Sequence, residues 1–463
     1  MKRYALYRTV YRYWISTSRK RLPTSFVNSS IDSENAPSMT LQVTNPQASC
    51  ADPEPSSTLR VAAAREAIQS GIKPILTTER LALRDALGRV LAQTIISPLD
   101  VPGHTNSAMD GYALKGSDLQ SSATPSFKLI GTTVAGQPFQ GQCQSGECIR
   151  IMTGAPMPDG TDTVIMQEQA KLDESQMVSF TSQHKQGQNV RHAGEDIARG
   201  SSVLEPGRRL TAADLGVMAS LGFGEVSVRR RPRVAFFSTG DELRGIGETL
   251  REGDVYDSNR YSLYGMLKNC GVDLLDMGVI RDDPDALRQA FQAAAEEADM
   301  VISSGGVSVG EADYTKKILQ QLGEIHFWKI AMKPGRPLAF GELGHTRFFG
   351  LPGNPVAVMV TFYQFVVPAI HYLSTGKPYQ PFTLKAVCQD TLRKRPGRYE
   401  FIRGVFSSTD DGQLKVESVG QQGSGILTSM SRGNCFILLP ETCAGVSEGD
   451  QVEIQPFASL SLE

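Results

Sequence analysis

Segments with strand-like and helix-like patterns alternate between residues 234 and 372, and this alternation constrains the fold more than any other feature of the chain. Short apolar runs rich in β-branched and aromatic residues predict strands, whereas longer runs of helical periodicity predict helices. Strands are expected at residues 234–237, 272–280, 300–302, 325–331, 338–341 and 348–349, and helices at residues 258–268, 285–297, 311–321 and 356–372. The alternation predicts a three-layer α/β domain, residues 231–376, in which helices cover both faces of a mostly parallel sheet.

The connection between the strand at 300–302 and the helix at 311–321 is rich in Ser and Gly, including Ser303, Gly305 and Gly306. A strand that turns through glycines into a helix places backbone N–H groups beside the positive end of that helix, which suits a phosphate or another oxyanion. The spacing matches neither G-x-G-x-x-G nor G-K-[ST]. Taken alone, the loop is equally compatible with a tight turn that binds nothing.

Polar residues follow four of the predicted strands, at residues 238–242, 282–283, 303–310 and 329–336. Ligands of such sheets bind beyond the carboxyl ends of the strands. Carboxylates and lysines are therefore expected to converge with the glycine loop on one rim. This predicts a site for a phosphorylated ligand and a cation, since Mg²⁺ typically uses one or two carboxylates together with phosphate oxygens and water. Simple solvation of strand ends would account for any one of these segments, but less well for all four.

Two further regions alternate as β structure does. Residues 103–195 predict a small β domain upstream of the α/β domain, with strands at 127–134, 147–152, 163–167 and 177–180. Residues 377–463 predict a C-terminal β-barrel or sandwich. Residues 59–102 and 196–230 form a predicted helical and linker domain, with one helix ending at Gly71, a second short helix over 79–91, and a third over 211–221 with Thr211 or a neighbour as its N-cap.

Composition narrows the function classes. A formal net charge of −2 gives no global electrostatic basis for binding nucleic acid, so no nucleic-acid partner is expected. The 7 Cys are scattered and odd in number, which favours a reducing compartment over a disulfide framework, and their spacing does not suit a zinc site. No apolar run reaches transmembrane length, so no membrane partner is expected.

The first 58 residues are predicted to be a disordered basic and polar lead. Residues 1–31 contain no acidic residue and are similar in composition to a mitochondrial presequence. The alternative is that Met39 is the true start. We favour this alternative, and with it a cytoplasmic location, because the remainder is typical of a bacterial cytosolic enzyme.

Seven segments, in this order along the chain, together resemble one family, the MoeA-type molybdopterin molybdenumtransferases, to which the E domain of gephyrin is similar. The segments are residues 106–113, 152–158, 194–197, 238–243, 303–313, 333–337 and 351–355. The resemblance runs from about residue 59 to the C-terminus. It implies a reaction in which adenylylated molybdopterin and molybdate enter, and AMP and molybdenum cofactor leave, with Mg²⁺ as the cation.

The resemblance also implies residue roles. Glu242, Asp282 and Asp313 would surround Mg²⁺ and the pyrophosphate, and Lys329 and Lys333 would lie near the phosphate and molybdate. The catalytic set would be Asp110, Glu242, Asp313, Lys329 and Lys333. Substrate would be bound by Thr153, Asp196, Ser303, Gly305, Gly306, Ser308, Arg403 and Ser424, of which Arg403 and Ser424 are linked to molybdate. Arg336 stands where a Lys is also common, and its planar guanidinium differs from an ammonium in geometry.

Two alternatives are weighed against this function. A molybdopterin adenylyltransferase resembles the α/β domain alone, and the β regions at 103–195 and 377–463 argue against it. A gephyrin-like non-catalytic scaffold needs added domains that this sequence does not show. The resemblance further implies a homodimer whose active site combines the α/β domain of one subunit with the small β domain of the other. Transient contacts with molybdopterin adenylyltransferase and apo-molybdoenzymes would follow from the place of the reaction in the pathway.

Overall fold

The computed structural model describes residues 58–120, 125–180, 184–306 and 313–457. The other residues lie outside the described part of the chain, including residues 1–57 of the predicted lead and Ser308. The side chain of Asp313 is also outside it, although its backbone begins a helix.

A seven-stranded sheet forms the middle layer of the α/β domain. Its strands stand in the order Thr58–Leu59, Gly323–Ile330, Pro337–Leu343, Thr346–Leu351, Met300–Ser304, Arg233–Thr239 and Asp273–Ile280. Four neighbouring pairs are parallel, and the two pairs that involve Pro337–Leu343 are antiparallel. The predicted mostly parallel sheet is therefore confirmed, and all strands except Pro337–Leu343 end at the same edge.

Helices cover both faces of this sheet. One face carries Val61–Ser70, Ser258–Asn269, Pro355–Thr361 and Val367–Thr375, and the other carries Pro284–Glu297 and Asp313–Leu322. Successive side chains of a strand point to opposite faces, so Phe236 belongs to the first core and Phe237 to the second. The predicted three layers are confirmed.

The long core helix runs from Pro355 to Thr375 and includes a π-helical segment, Phe362–Val366. It is long and apolar enough to cross a membrane, so the prediction that no apolar run reaches that length is wrong, but 78% of its apolar window is buried inside the protein. Its apolar character is thus explained by packing against the sheet and the C-terminal domain.

The N-terminal region differs from the prediction. The expected helix over 79–91 is wrong, because Thr78–Ala82 is a strand paired with Glu225–Arg229, and Leu83–Ala86 is a short 3₁₀ turn. Pairing with a distant strand overrides local helical preference here. The helix Ala212–Ser220 begins as predicted, with a capping box between Thr211 and Asp214. Thr58–Leu59 and the helix Val61–Ser70 pack on the α/β sheet.

The small β domain contains a six-stranded sheet. Its strands stand in the order Thr163–Met166, Gly111–Leu114, Glu147–Ile151, Ser126–Thr133, Met177–Phe180 and Ala170–Leu172. The four strands expected in this region are all present within a residue or so of their predicted ends. The Asp110-Gly111 turn opens directly into the strand Gly111–Leu114, whose four residues are all buried.

The C-terminal domain is a closed barrel, one of the two predicted forms. Its sheet has the order Met332–Lys333, Tyr399–Ser408, Leu414–Ser418, Leu384–Cys388, Gln451–Pro456 and Cys435–Leu439. The last strand also pairs with Tyr399–Ser408, which closes the barrel. Met332–Lys333 belongs to the α/β domain in sequence but adds to this sheet, so a β ladder joins the two domains beside the edge where the parallel strands end.

Candidate active site

A cleft of about 550 Å³ lies at the carboxyl edge of the seven-stranded sheet, between the α/β domain and the barrel. The α/β domain lines it with the loops that follow its strands, as the polar strand ends predicted. The barrel contributes Arg398, Gln422, Gly423 and Ser424. The site is therefore composite, with one wall from each domain.

Gly305 and Gly306 form part of the floor of the cleft. Their φ angles are +90° and +69°, in the left-handed region that glycine tolerates. A Cβ on Gly305 would lie 2.6 Å from the carbonyl oxygen of Thr239, so the two strand ends approach too closely for a side chain. This gives the glycine loop a structural requirement, and the amide of Gly305 itself donates to the carbonyl of Leu351 at 3.2 Å.

One wall of the cleft is acidic. Glu242 and Asp282 both line it, and the amide of Asp282 donates to Asp241 Oδ1 at 3.3 Å. Burial in the wall, together with the negative charges of Asp241 and Glu242, raises the pKa of Asp282 above its ordinary value. Carboxylates that repel one another in this way favour the approach of a cation.

A second set of polar contacts fixes the position of the strand ends. Asn259 donates from Nδ2 to Ser304 Oγ at 2.9 Å and to the carbonyl of Gly353 at 2.7 Å, which ties two neighbouring loops together. Ser238 donates to the buried carboxylate of Asp257 at 3.0 Å, and Asp257 also caps the helix that contains Asn259. The rim is thus preorganised in part by Asn259 and Asp257, to which the sequence analysis assigned no role.

The cleft is also lined by three basic residues, Lys333, Arg336 and Arg398. Lys333 Nζ lies 3.3 Å from Oε2 of Glu400, a buried carboxylate on the barrel strand Tyr399–Ser408. The cleft therefore presents positive charge from both domains.

Ser424 reaches the cleft on a loop held from two sides. The carbonyl of Ser424 accepts from the amide of Val356 at 3.0 Å, at the start of the core helix. Behind the loop, Arg403 donates to the carbonyl of Gly423 at 3.2 Å and to Ser429 Oγ at 3.1 Å. Arg403 is 1% exposed, and burial lowers its pKa to about 10. It lies behind the wall of the cleft, whereas Arg398 lies in it.

The structure brings together part of the predicted set. Glu242, Asp282, Gly305, Gly306, Lys333 and Ser424 line the cleft. Ser303, Lys329 and Arg403 are not among its lining residues. Ser303 is fully buried, and its hydroxyl has no hydrogen-bond partner among the described residues. Lys329 is half-buried on the strand Gly323–Ile330.

The remaining predicted residues, Asp110, Thr153 and Asp196, do not line this cleft. Asp110 Oδ1 accepts from the amide of Thr153 at 2.7 Å and from its hydroxyl at 2.8 Å, and these hydrogen bonds lower the pKa of Asp110. The two predicted residues therefore form one unit, exposed on the small β domain. The backbone amide of Asp196 donates to the carbonyl of Val101 at 3.0 Å.

Several cleft residues were not predicted, namely Asn259, Asn354, Arg398 and Gln422. Arg398 is an exposed residue just before the strand Tyr399–Ser408, whereas Arg403 is buried within that strand.

Three family models match the chain. One described as "MoeA N-terminal region (domain I and II)" matches residues 59–222, "Probable molybdopterin binding domain" matches residues 235–372, and "MoeA C-terminal region (domain IV)" matches residues 385–457. Together they define a multidomain protein built around a molybdopterin-binding fold. The N- and C-terminal matches separate it from an enzyme that consists of the α/β domain alone.

Similar proteins give the same assignment. A molybdopterin molybdenumtransferase of Haemophilus influenzae is 46% identical over 384 residues, covering 83% of this chain and 95% of the relative. A gephyrin of Dictyostelium discoideum is 31% identical, and the match spans 59% of that longer protein. The crystal structure of a Pyrococcus horikoshii MoeA protein superposes with a TM-score of 0.77 at 29% identity, covering 86% of this chain and all of the other. The chain belongs to the MoeA family of molybdopterin molybdenumtransferases, which confirms the predicted resemblance.

Proposed function

We propose that this protein inserts molybdenum into adenylylated molybdopterin, with molybdate as co-substrate and AMP and molybdenum cofactor as products. The observation that carries the proposal is the composite cleft, in which a glycine loop, two carboxylates and three basic side chains share about 550 Å³. Cleavage of a phosphoanhydride requires neutralisation of its charge and alignment of the attacking oxygen. The chain brings groups for both tasks into one cavity.

Glu242 and Asp282 are the residues proposed to hold Mg²⁺. Among the residues that the structure describes, no group of three or more His, Cys, Asp or Glu is placed to hold a metal ion by itself. Two carboxylates on one wall nevertheless fit Mg²⁺, because this ion typically takes one or two protein carboxylates together with phosphate oxygens and water. When bound there, the ion would neutralise charge on the anhydride. Asp313 stays a predicted third ligand, since its side chain lies outside the described residues.

Ser424, Lys333 and Arg398 are the residues proposed to recognise molybdate. A tetrahedral dianion needs cationic and hydroxyl or N–H donors, and these three side chains of the cleft offer both. Arg403 was the predicted cation from the barrel. Its burial and its bond to the Gly423 carbonyl support a different role, that of holding the loop which presents Ser424.

The small β domain is proposed to act in a homodimer, where the Asp110–Thr153 unit and Asp196 of one subunit complete the cleft of the other. These residues are absent from the cleft of the single chain, and the exposed pair is already ordered by its own hydrogen bonds. A cytoplasmic location is proposed along with this. Transient contacts with molybdopterin adenylyltransferase and apo-molybdoenzymes would deliver the substrate and receive the product.

The proposal is tested by adding adenylylated molybdopterin, molybdate and Mg²⁺ to the purified protein and measuring AMP. Molybdate-dependent AMP release is expected, and Glu242→Gln should abolish most of it. Glu252→Gln, a change at an exposed acid outside the cleft, is the matched control and should leave it intact. In a second reaction that contains ATP and molybdopterin but no molybdate, consumption of both would instead support the adenylyltransferase. Binding of the pterin without any turnover would support a scaffold.

A further inference from the structure

Glu400 is a buried acid next to an anion-binding cleft, which calls for an explanation. The residue is 6% exposed on the barrel strand Tyr399–Ser408, and its Oε2 lies 3.3 Å from Lys333 Nζ. The side chain of Lys333 is 51% exposed, against 8% for that of Glu400. The ammonium thus lies on the solvent side of the pair. The carboxylate lies behind it.

Backbone pairing fixes this arrangement. Lys333 stands opposite Glu400 in the parallel ladder that joins the two domains, and the amide of Tyr399 donates to the carbonyl of Ala331 at 2.8 Å. The pair is therefore set by the register of two strands from different domains. Such a contact is more precise than one between two mobile surface side chains.

A buried carboxylate costs free energy that a single lysine only partly returns. Beside a cleft for phosphate and molybdate it also repels the ligand. An apolar residue at position 400 would avoid both effects and would still allow the barrel strand to form. The position of Glu400 against a cleft lysine therefore points to an effect on that lysine.

We propose that Glu400 is a positioning residue that aims the Lys333 ammonium into the cleft and partly neutralises it. Lys333 then contacts the incoming oxyanion from a fixed direction, and the paired carboxylate limits how tightly that anion is held. Glu400 would lower the affinity for molybdate in exchange for turnover, because an anion bound too tightly before reaction gains nothing in the transition state. The effect of Glu400 on the reaction rate rests on the proposed function, whereas its effect on anion binding does not.

The charges that remain at positions 333 and 400 predict an order of molybdate affinities among variants. A merely structural role of Glu400 would not produce this order. Glu400→Gln leaves the Lys333 charge unopposed and should bind molybdate about three- to tenfold more tightly, the size expected for one partly screened charge. Lys333→Met leaves the carboxylate alone and should bind most weakly. The double variant has neither charge and should lie between Lys333→Met and Glu400→Gln.

The test measures molybdate binding by calorimetry on the full chain, and separately the molybdate dependence and maximal rate of AMP release. Glu400→Gln should lower the maximal rate while tightening binding. Glu417→Gln, at an exposed acid on another barrel strand, is the matched control and should change neither. Unchanged binding in Glu400→Gln would overturn the inference, as would a double variant that binds no better than Lys333→Met.

The design keeps the two proposals apart. If Glu400→Gln does not fold, the comparison of Lys333→Met with the double variant still tests the inference. Repulsion between the unpaired Glu400 carboxylate and the anion is present in Lys333→Met and removed in the double variant. If the wild-type protein binds molybdate but releases no AMP, the proposed function fails while the binding order still tests Glu400. If AMP release occurs and the binding order is absent, the inference on Glu400 alone fails.

Discussion

Replacing Arg403 with Met separates support of the cleft from direct contact with its ligand. The guanidinium donates to Ser429 Oγ at 3.1 Å, to the Gly423 carbonyl at 3.2 Å and to the Phe401 carbonyl at 3.4 Å. Met keeps much of the length of the side chain and loses all three bonds. Because the residue is 1% exposed, water does not readily take the place of the lost donor.

The magnitude follows from opposing terms. Hydrogen bonds from a charged donor contribute about 1.5–3 kcal/mol each, so the two shorter bonds amount to roughly 3–6 kcal/mol. Burial of the charge offsets part of this, and its cost shows in the pKa of Arg403, which is lowered to about 10. A net loss of about 2–3 kcal/mol is expected. That corresponds to a melting temperature lower by roughly 5–10 °C for a domain of moderate size.

The assay combines thermal unfolding with molybdate titration of AMP release, and Arg398→Met is the matched variant. Arg403→Met should melt earlier and should also need more molybdate, since the loop that carries Ser424 is released. Arg398→Met removes an exposed charge from the cleft, so it should need more molybdate at an unchanged melting temperature. If Arg403→Met melted with the wild type and still needed more molybdate, Arg403 would contact the ligand directly, and the positioning role would be refuted.

Three further predictions follow from the same structure. Glu242→Gln and Asp282→Asn should lose turnover more than they lose binding of the adenylylated pterin, because charge on the anhydride grows toward the transition state; normal turnover with weak binding would contradict the metal role. Asp299→Asn should destabilise the fold by about 1.5–3 kcal/mol at neutral pH with turnover unchanged, since its two oxygens accept from Arg230 at 2.7 Å on the side of the sheet away from the cleft. These bonds keep the pKa of Asp299 below its ordinary value despite burial. The stabilisation is therefore present above the pKa of Asp299 in the unfolded chain and is lost as pH falls through its pKa in the folded protein. If the wild type and the variant lost stability in parallel on acidification, this prediction would be contradicted. Gly305→Ala should abolish oxyanion binding, measured by calorimetry with inorganic phosphate, because its Cβ would meet a backbone carbonyl at 2.6 Å; an alanine variant that binds phosphate normally would remove the loop from the site.

The α/β domain could be predicted because its signals are local. Each strand and helix there has its own periodicity, and the helix Pro284–Glu297 also has an N-cap, Asp283. The strand Thr78–Ala82 was missed for the opposite reason. It depends on pairing with Glu225–Arg229, more than a hundred residues away, and nothing in its own composition reports that partner.

The residues of the candidate site that follow strands could be predicted from the sequence. Residues whose access to the cleft depends on how deeply they are buried were harder to predict. Glu242, Asp282 and Lys333 follow strands whose direction the alternation predicted, so their convergence could be expected. Arg403 is buried within the strand Tyr399–Ser408, which pairs with Cys435–Leu439 and closes the barrel, whereas Arg398 lies exposed just before that strand. Closure of the barrel depends on pairing among strands of the whole domain, so the sequence of a single strand does not predict it.

The strand shared by the two domains also limits how the cleft can open. Met332–Lys333 is covalently part of one wall and hydrogen-bonded into the other, and the amide of Val356 holds the carbonyl of Ser424 across the same gap. A hinge between the walls would have to break a β ladder and uncap the core helix, at a cost paid in every turnover. The two domains are therefore expected to move as one rigid body. Substrate and product would then pass through the solvent-exposed opening of the cleft, so access would be controlled by whatever covers that opening.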